Sequence, residues 1–301
     1  MPFGQARFAD ENSLLNAKFE QKRVLICAHR GSWHGNVTQN TTLAYKAAFM
    51  QGADIVETDT TASIDGEVFS IHDGVEPRLF GVNRSSRRLT ADQISGFTPL
   101  NALGEPSTHH VQRLAEVFAW MPKGSLLNID RSWRADGRVL PLLDQYPAMR
   151  TQALLKAPLD CEDVIGQLES HPVKYMFMPI CYHLSEVEEI LRRKDLNTVG
   201  VELIAFSEND RQYTGDRYTD ELFSEEVIRY IHSKGLFCWA NALTLTDVQP
   251  CHALFGPLDD DLSIVQGPAA GWGRMMDMGI DVIQTDWPDL VRDYRRERMG
   301  R

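Results

Sequence analysis

A chain of 301 residues is long for one globular domain and short for two large ones, and it can bury a sizeable core. At 43% hydrophobic and 24% charged residues it has the make-up of an ordinary folded protein. The formal charge of −11 argues against nucleic acid or an anionic membrane as partner, because both reward clustered Lys and Arg. No stretch reaches the ~18 apolar residues of a membrane span, and residues 1–22 lack the apolar core of a secretory leader. The 5 cysteines are odd in number and scattered, without a C-x-x-C pair for zinc. Buried, reduced thiols in a cytoplasmic protein are the expectation.

After the lead-in over 1–22, short apolar runs recur in the order "VLICA" (24–28), "DIVET" (54–58), "VFSI" (68–71), "SLLNID" (125–130), "QALLK" (152–156), "YMFMPI" (175–180), "VGVELI" (199–204), "LFCWA" (236–240) and "DVIQT" (281–285). Helical patterns lie between most of them. "TTLAYKAAFMQG" ends in a glycine suited to a helix C-terminus, "SEVEEILRRKD" has acids early and bases late, and "SEEVIRYIHSKG" runs from Ser to Gly. Apolar strands alternating with helices imply a parallel sheet covered on both faces. If 68–71 is the return arm of a hairpin with Ile55–Asp59, eight helix-separated strands remain, the number that closes a (β/α)8 TIM barrel. A doubly wound open sheet is the rival, but "AHRGSWHG" after the first strand lacks the G-x-G-x-x-G phosphate loop.

The expected organisation is one domain over 1–301, with 74–110 as an insertion after the second-strand hairpin that lies over the C-terminal face of the barrel. That segment is rich in turn formers and has one short helical signal, "TADQISG"; a second irregular stretch spans 244–273. Loops that follow strands build the active end of such a barrel.

The strand ends carry the chemistry. His29 and Arg30 close the first strand. Glu57 and Asp59 stand at i, i+2 on the second, on one face and about 6–7 Å apart along the strand. They are either a solvent-facing polar rim or the floor of a metal site, since two inward carboxylates need a cation between them. Asp130 ends the third strand and gives a third hard oxygen ligand, suited to Mg²⁺ or Ca²⁺. His72 follows the return arm and adds a second imidazole. Two histidines, an arginine and three carboxylates at one rim fit acid–base chemistry on an anionic, metal-bound phosphodiester.

In these motifs the chain resembles the glycerophosphodiester phosphodiesterase family of phospholipase-C-like TIM barrels. "AHRG", "TQNTTLAY", "GADIVETDTTASIDGEVFSIHD", "LLNID", "FCWANA" and "GIDVIQTDWPDL" fall in the family's order from about residue 24 to 292. The resemblance implies a barrel with an insertion after the H-D motif. It also implies a phosphoric diester hydrolase of lipid metabolism that uses one divalent cation, Mg²⁺ or Ca²⁺ with Mn²⁺ as a further option. Carried over by position, His29 and His72 are the catalytic histidines, Glu57 and Asp59 metal ligands, and Arg30 the phosphate contact. Trp239 and Asn241 match the W-T-x-N strand, and Asp286 the T-D-x-P turn.

The chain departs from the family at three positions. Gln39 stands where the family has glutamate, so it keeps a hydrogen bond without the charge. Asp130 replaces the usual third glutamate, as in the distant sphingomyelinase D toxins. Ser132 replaces a phosphate-binding lysine, and strand alternation would put it on the face of Asp130. Lys156, at the end of the fourth strand, is either a compensating cation or a snorkelling surface lysine. Trp33, Trp133, Trp239 and Trp287 lie near strand ends and Trp272 in the late loop, either as core or as a surface that stacks on a ring. Glu202 and the run Asp259, Asp260 and Asp261 would accept hydroxyl bonds in a sugar pocket; for the run, a loop-surface position is the expectation. The substrate is then a glycerophosphodiester-like small molecule, or alternatively a sugar phosphodiester of the agrocinopine type. A non-catalytic phosphodiester binder is the alternative from another class.

Overall fold

The structure is a computed structural model, and it describes residues 2–206, 219–245 and 252–300. Its strands are β1 (Leu25–Ala28), β2 (Ile55–Asp59), β3 (Thr61–Ala62), β4 (Val68–Phe69), β5 (Leu126–Asp130), β6 (Ala153–Pro158), β7 (Met176–Cys181), β8 (Gly200–Leu203), β9 (Phe237–Asn241), β10 (Thr244–Leu245), β11 (His252–Ala253) and β12 (Val282–Thr285). Eight of them close a barrel in the order β1-β12-β9-β8-β7-β6-β5-β2, and every pairing in it is parallel. This is the (β/α)8 barrel the strand count implies, and closure removes the open-sheet alternative.

Two-residue alternation sets the barrel's character. Leu25, Ile55, Leu126, Leu154, Met176, Met178, Phe237 and Val282 form the interior core. One step further along the same faces stand Glu57, Asn128, Lys156 and Glu202, all buried. The interior is therefore apolar at the N-terminal end and charged towards the C-terminal mouth. The outward residues, such as Val56, Leu127, Leu155 and Phe177, pack with helix residues such as Val117 and Ile165.

Helix ends follow the local chemistry read from the sequence. Thr42–Gln51 starts at Thr41, whose hydroxyl accepts from Ala44 N, and stops at Gly52 with φ 97°. Glu225–Ser233 is capped by Ser224 in the same way. The lead-in is more than a tail. Ser13–Lys22 is a helix whose Leu15 and Phe19 join the interior cluster and close the N-terminal end of the barrel. A fully buried Leu15 contributes about 1.5–3 kcal/mol to that closure.

The expected hairpin is built differently. The return strand β4 pairs with β3, as Thr61↔Phe69 and Ala62↔Val68, and not with β2. The two form a separate ribbon beyond the barrel wall because β2 is already paired on both sides, with β1 and β5. Asp65 and Gly66, the latter at φ 92°, turn the ribbon.

Segment 74–110 carries helices Glu76–Phe80 and Ala91–Ser95. Its Val75, Leu79, Phe80, Leu89 and Ile94 pack with Phe69, Ile71 and Val111 as a small core of their own. The stretch 244–273, expected to be irregular, holds helix Asp260–Val265 and a π-helical turn at Ala269–Gly273 that packs beside it.

Candidate active site

Sheet register brings the carboxylates together. Asp59 lies opposite Asp130 in the β2–β5 pairing, with Glu57 two residues earlier. One oxygen each from Glu57, Asp59 and Asp130 lies within 4.8 Å of the others. Glu57 is 1% and Asp59 2% exposed, so the solvent-facing rim is ruled out.

The turn after β1 supplies the first cation. Arg30 and Gly31 adopt left-handed backbone, φ 55° and 76°. A Cβ on Gly31 would come within 2.7 Å of the Ala44 carbonyl carbon, so only glycine fits that close approach. The turn aims Arg30 N at Glu57 Oε2, 2.8 Å, and Arg30 Nε at Asp59 Oδ2, 3.0 Å. Arg30 Nη1 also donates to Gln39 Oε1 at 2.9 Å, so the amide keeps the bond expected of it. Asn40 closes the bracket, donating Nδ2 to Asp59 Oδ2 at 2.9 Å and accepting Asp59 N at 3.1 Å.

Lys156 is the second cation. At 3% exposure it is no surface lysine. Its Nζ stands 3.1 Å from both Asp130 Oδ2 and Glu202 Oε2, and 5.9 Å from the Trp239 ring centre. Burial works against its charge, but Asp130, Glu202 and Glu57 outweigh it and hold the ammonium above its usual range. Glu202 Oε1 accepts from Asn241 Nδ2 at 2.6 Å. Glu202, Asn241 and Trp239 are thus the charged floor and its support, all buried. The expected role of Ser132 changes too. Arg131 turns left-handed at φ 57°, the strand stops, and Ser132 enters a 3₁₀ turn with its hydroxyl 3.3 Å from the Lys156 carbonyl. Strand alternation therefore does not reach it.

The carboxylates do not share one environment. Burial, with Asp59 and Asp130 nearby, pushes Glu57 well above the usual range. Burial also acts against Asp59, but Arg30, His72 and the Asn40 bond overcome it and hold that carboxyl low. Glu57 Oε1 is buried and finds no donor among the described residues. An orphaned buried carboxylate oxygen beside two further carboxylates is what a hard divalent cation requires, and the three residues fit one.

The imidazoles flank this floor. His29 Nδ1 is 2.9 Å from Asp286 Oδ1, past the end of β12. Burial acts against ionised Asp286, yet the His29 charge and hydrogen bond hold it below the ordinary carboxylate range. His72 follows β4 close enough for its charge to act on Asp59. Asp73 is taken up in an ion pair with Arg131. A cavity of about 450 Å³ opens onto His29, Arg30, Gln39 and Asp286, with Val75, Arg78, Leu100 and Ala102 of the 74–110 segment forming part of its wall.

The tryptophans divide. Trp33 lines that cavity, and Trp287, 41% exposed and stacked on His34 at 5.8 Å, lies in an adjoining groove with Trp33. Trp133 lines a different groove with Asp136 and Glu162, away from the histidines, and Trp239 and Trp272 are fully buried. The expected rim of four is thus reduced to two. The Asp run departs from expectation in part: Asp261 is exposed, but Asp260 is 4% exposed, and Asp259 caps its helix through Leu262 N at 2.7 Å. At the far end of the barrel, His232 and Cys238 N both bond Asp281 Oδ2, at 2.7 and 2.8 Å, tying helix to strands.

Fold and rim together define a (β/α)8 barrel with a carboxylate-floored, histidine-flanked mouth. Residues 29–149 match the Glycerophosphoryl diester phosphodiesterase family, the family that the motifs resemble. Residues 177–295 match a domain of unknown function. A glycerophosphodiester phosphodiesterase of Caldanaerobacter subterraneus subsp. tengcongensis is 32% identical over 110 residues, which is 36% of this chain and 45% of that relative. In fold, the chain is similar to a glycerophosphoryl diester phosphodiesterase from Parabacteroides distasonis, with TM-score 0.74 at 17% identity, covering 99% of this chain and 94% of that one. It is also similar to a phosphodiesterase of Oleispira antarctica solved with the product sn-glycerol-3-phosphate, with TM-score 0.63 at 15% identity over 89% and 95% of the two chains. No helix among the described residues is long and apolar enough to cross a membrane.

Proposed function

We propose that this protein is a divalent-cation-dependent phosphodiesterase that cleaves a glycerophosphodiester-like small molecule to a phosphomonoester and an alcohol. One observation carries the reading: Glu57, Asp59 and Asp130 converge at the barrel mouth beside His29, His72 and Arg30. A divalent cation held by those carboxylates would polarise a non-bridging phosphate oxygen and lower the cost of charge at phosphorus. The all-carboxylate set suits Mg²⁺, Ca²⁺ or Mn²⁺.

The chain's own residues move the protons. Asp286 accepts at His29 Nδ1, which fixes the tautomer and leaves Nε2 as the ring's proton acceptor. In this reading His29 Nε2 takes a proton from the attacking water as its oxygen bonds phosphorus; if a neighbouring substrate hydroxyl attacks instead, the product is a cyclic phosphate that water then opens to the phosphomonoester. His72 gives a proton to the leaving alcohol as the other P–O bond breaks. Arg30 is anchored by Asp59 and Gln39, and its guanidinium offsets charge on the phosphoryl oxygens. Lys156 acts on that charge from the floor, through Asp130.

Turnover of bis(p-nitrophenyl) phosphate with and without added Mg²⁺, Ca²⁺ or Mn²⁺ tests the reaction. No hydrolysis with any ion would favour a non-catalytic binder. A sugar phosphodiester is the second reading, favoured by Trp33 at the cavity with Trp287 beside it. Relative kcat/KM on glycerophosphocholine and on sugar phosphodiesters separates the two.

A further inference from the structure

We propose that Asp260 is a positioning residue that holds His29 in its working orientation through Asp286. The proposal rests on His29 being a proton-transfer group. Asp260 lies outside the cavity wall, and its side chain makes three bonds, two with the strand end that carries Asp286 and one with Trp272. Its Oδ2 accepts Asp286 N at 3.0 Å. Its Oδ1 accepts Thr285 Oγ1 and Trp272 Nε1, each at 2.7 Å. The Thr285 hydroxyl accepts Trp287 N at 2.9 Å, so its own proton is committed to Asp260. Asp286, fixed at its backbone, then meets His29 Nδ1 at 2.9 Å.

Packing sets where Asp260 stands. Trp272 is 1% exposed, and its backbone N donates to Ser263 Oγ at 3.0 Å. Ser263 Oγ donates to the Asp259 carbonyl at 2.8 Å. A Cβ on Gly271 would come within 2.0 Å of Ser263 Oγ, so the π-helical turn and the helix are in backbone-close contact. Asp260 N in turn donates to the Ala242 carbonyl at 2.6 Å, tying the helix to the end of β9. Burial pushes the Asp260 carboxyl up to about 7, while the Asp286, Thr285 and Trp272 donors favour its ionised form. A buried acceptor with three converging donors and a rigid mounting suits a group whose work is orientation.

Asp260→Asn is the test, because its amide keeps one acceptor and points a donor at one of the three N–H or O–H groups. We expect kcat to fall about 10- to 100-fold with KM within about twofold, the pattern of a displaced reacting group. We expect Asp260→Asn/Asp286→Asn to lose no more than Asp286→Asn alone, since both act on one path. Additive losses would overturn the proposal. An activity-free readout accompanies the kinetics: the ¹H–¹⁵N signature of the His29 Nδ1 proton in wild type and Asp260→Asn. A changed signature supports the proposal, and an unchanged one overturns it. If wild type hydrolyses no ester, the phosphodiesterase reading fails while this comparison still decides the role of Asp260. If Asp260→Asn does not fold, Trp272→Phe removes one donor and keeps a ring. The same signature must then shift, and its constancy would overturn the proposal.

Discussion

Lys156→Met probes the charge balance of the barrel floor. The ammonium is buried, with carboxylate oxygens at 3.1 Å on two sides. At an effective dielectric of about 20, each contact is worth about 5 kcal/mol, most of which offsets the cost of desolvating the ammonium. Methionine fills the space of the stem but leaves Asp130 and Glu202, beside Glu57, without the ammonium that lies between them. Removing one partner from such a buried network costs about 3–5 kcal/mol. We therefore expect urea unfolding at pH 7 to show a loss of about that size. Glu202→Gln keeps an acceptor for Asn241 and removes a charge, so Lys156→Met/Glu202→Gln should recover part of the loss. A loss below about 1 kcal/mol for Lys156→Met, or losses that simply add in the double variant, would refute the reasoning.

Other expectations follow from the same geometry. His29→Ala and His72→Ala should each lower turnover by about 10²- to 10⁴-fold with the fold intact, measured by kinetics beside circular dichroism. Glu57→Gln should weaken binding of Mg²⁺, Ca²⁺ or Mn²⁺ in calorimetry, because it removes the charge of the carboxylate whose Oε1 finds no donor among the described residues. Gly31→Ala should destabilise by about 1–3 kcal/mol in thermal unfolding, since it meets both a positive φ and the Ala44 backbone. At the far end of the barrel, the hydrogen bond to Asp281 raises the His232 pKa against partial burial. Its stabilisation is complete below the unfolded value of about 6.5 and is lost as pH rises through the higher folded value. His232→Gln should thus cost stability at pH 5 and little at pH 9, by less than about 1 kcal/mol for a pair in partial contact with solvent. An equal cost at both would be against it.

Much of this was legible because two-residue alternation and strand ends are local signals. All eight barrel strands coincide with apolar runs, and Glu57, Asp59, Asp130, His29 and His72 were placed by being at or just past strand ends. Lys156 was half legible: its place on a strand end was plain, but whether it faced inward depended on the carboxylates of neighbouring strands. Ser132 was misread because alternation was carried past Arg131, where the left-handed turn ends the strand. The hairpin failed for a similar reason, since β2 had no free edge for a return strand.

Asp260 shows what such reading cannot reach. Three consecutive aspartates in a polar stretch have the composition of a surface loop, and no period marks the middle one as buried. Its burial follows from Trp272 twelve residues later and Thr285 and Asp286 beyond that, contacts set by tertiary packing. The local cue was available only in pairs: an indole N–H and a threonine hydroxyl that both enter the core must find acceptors there. Of the three aspartates, Asp259 caps the helix, Asp261 stands exposed in its first turn, and Asp260 alone is left to face inward. The carboxylate floor was thus legible from strands β2 and β5, while the support of His29 was assembled by a segment whose sequence advertises a loop.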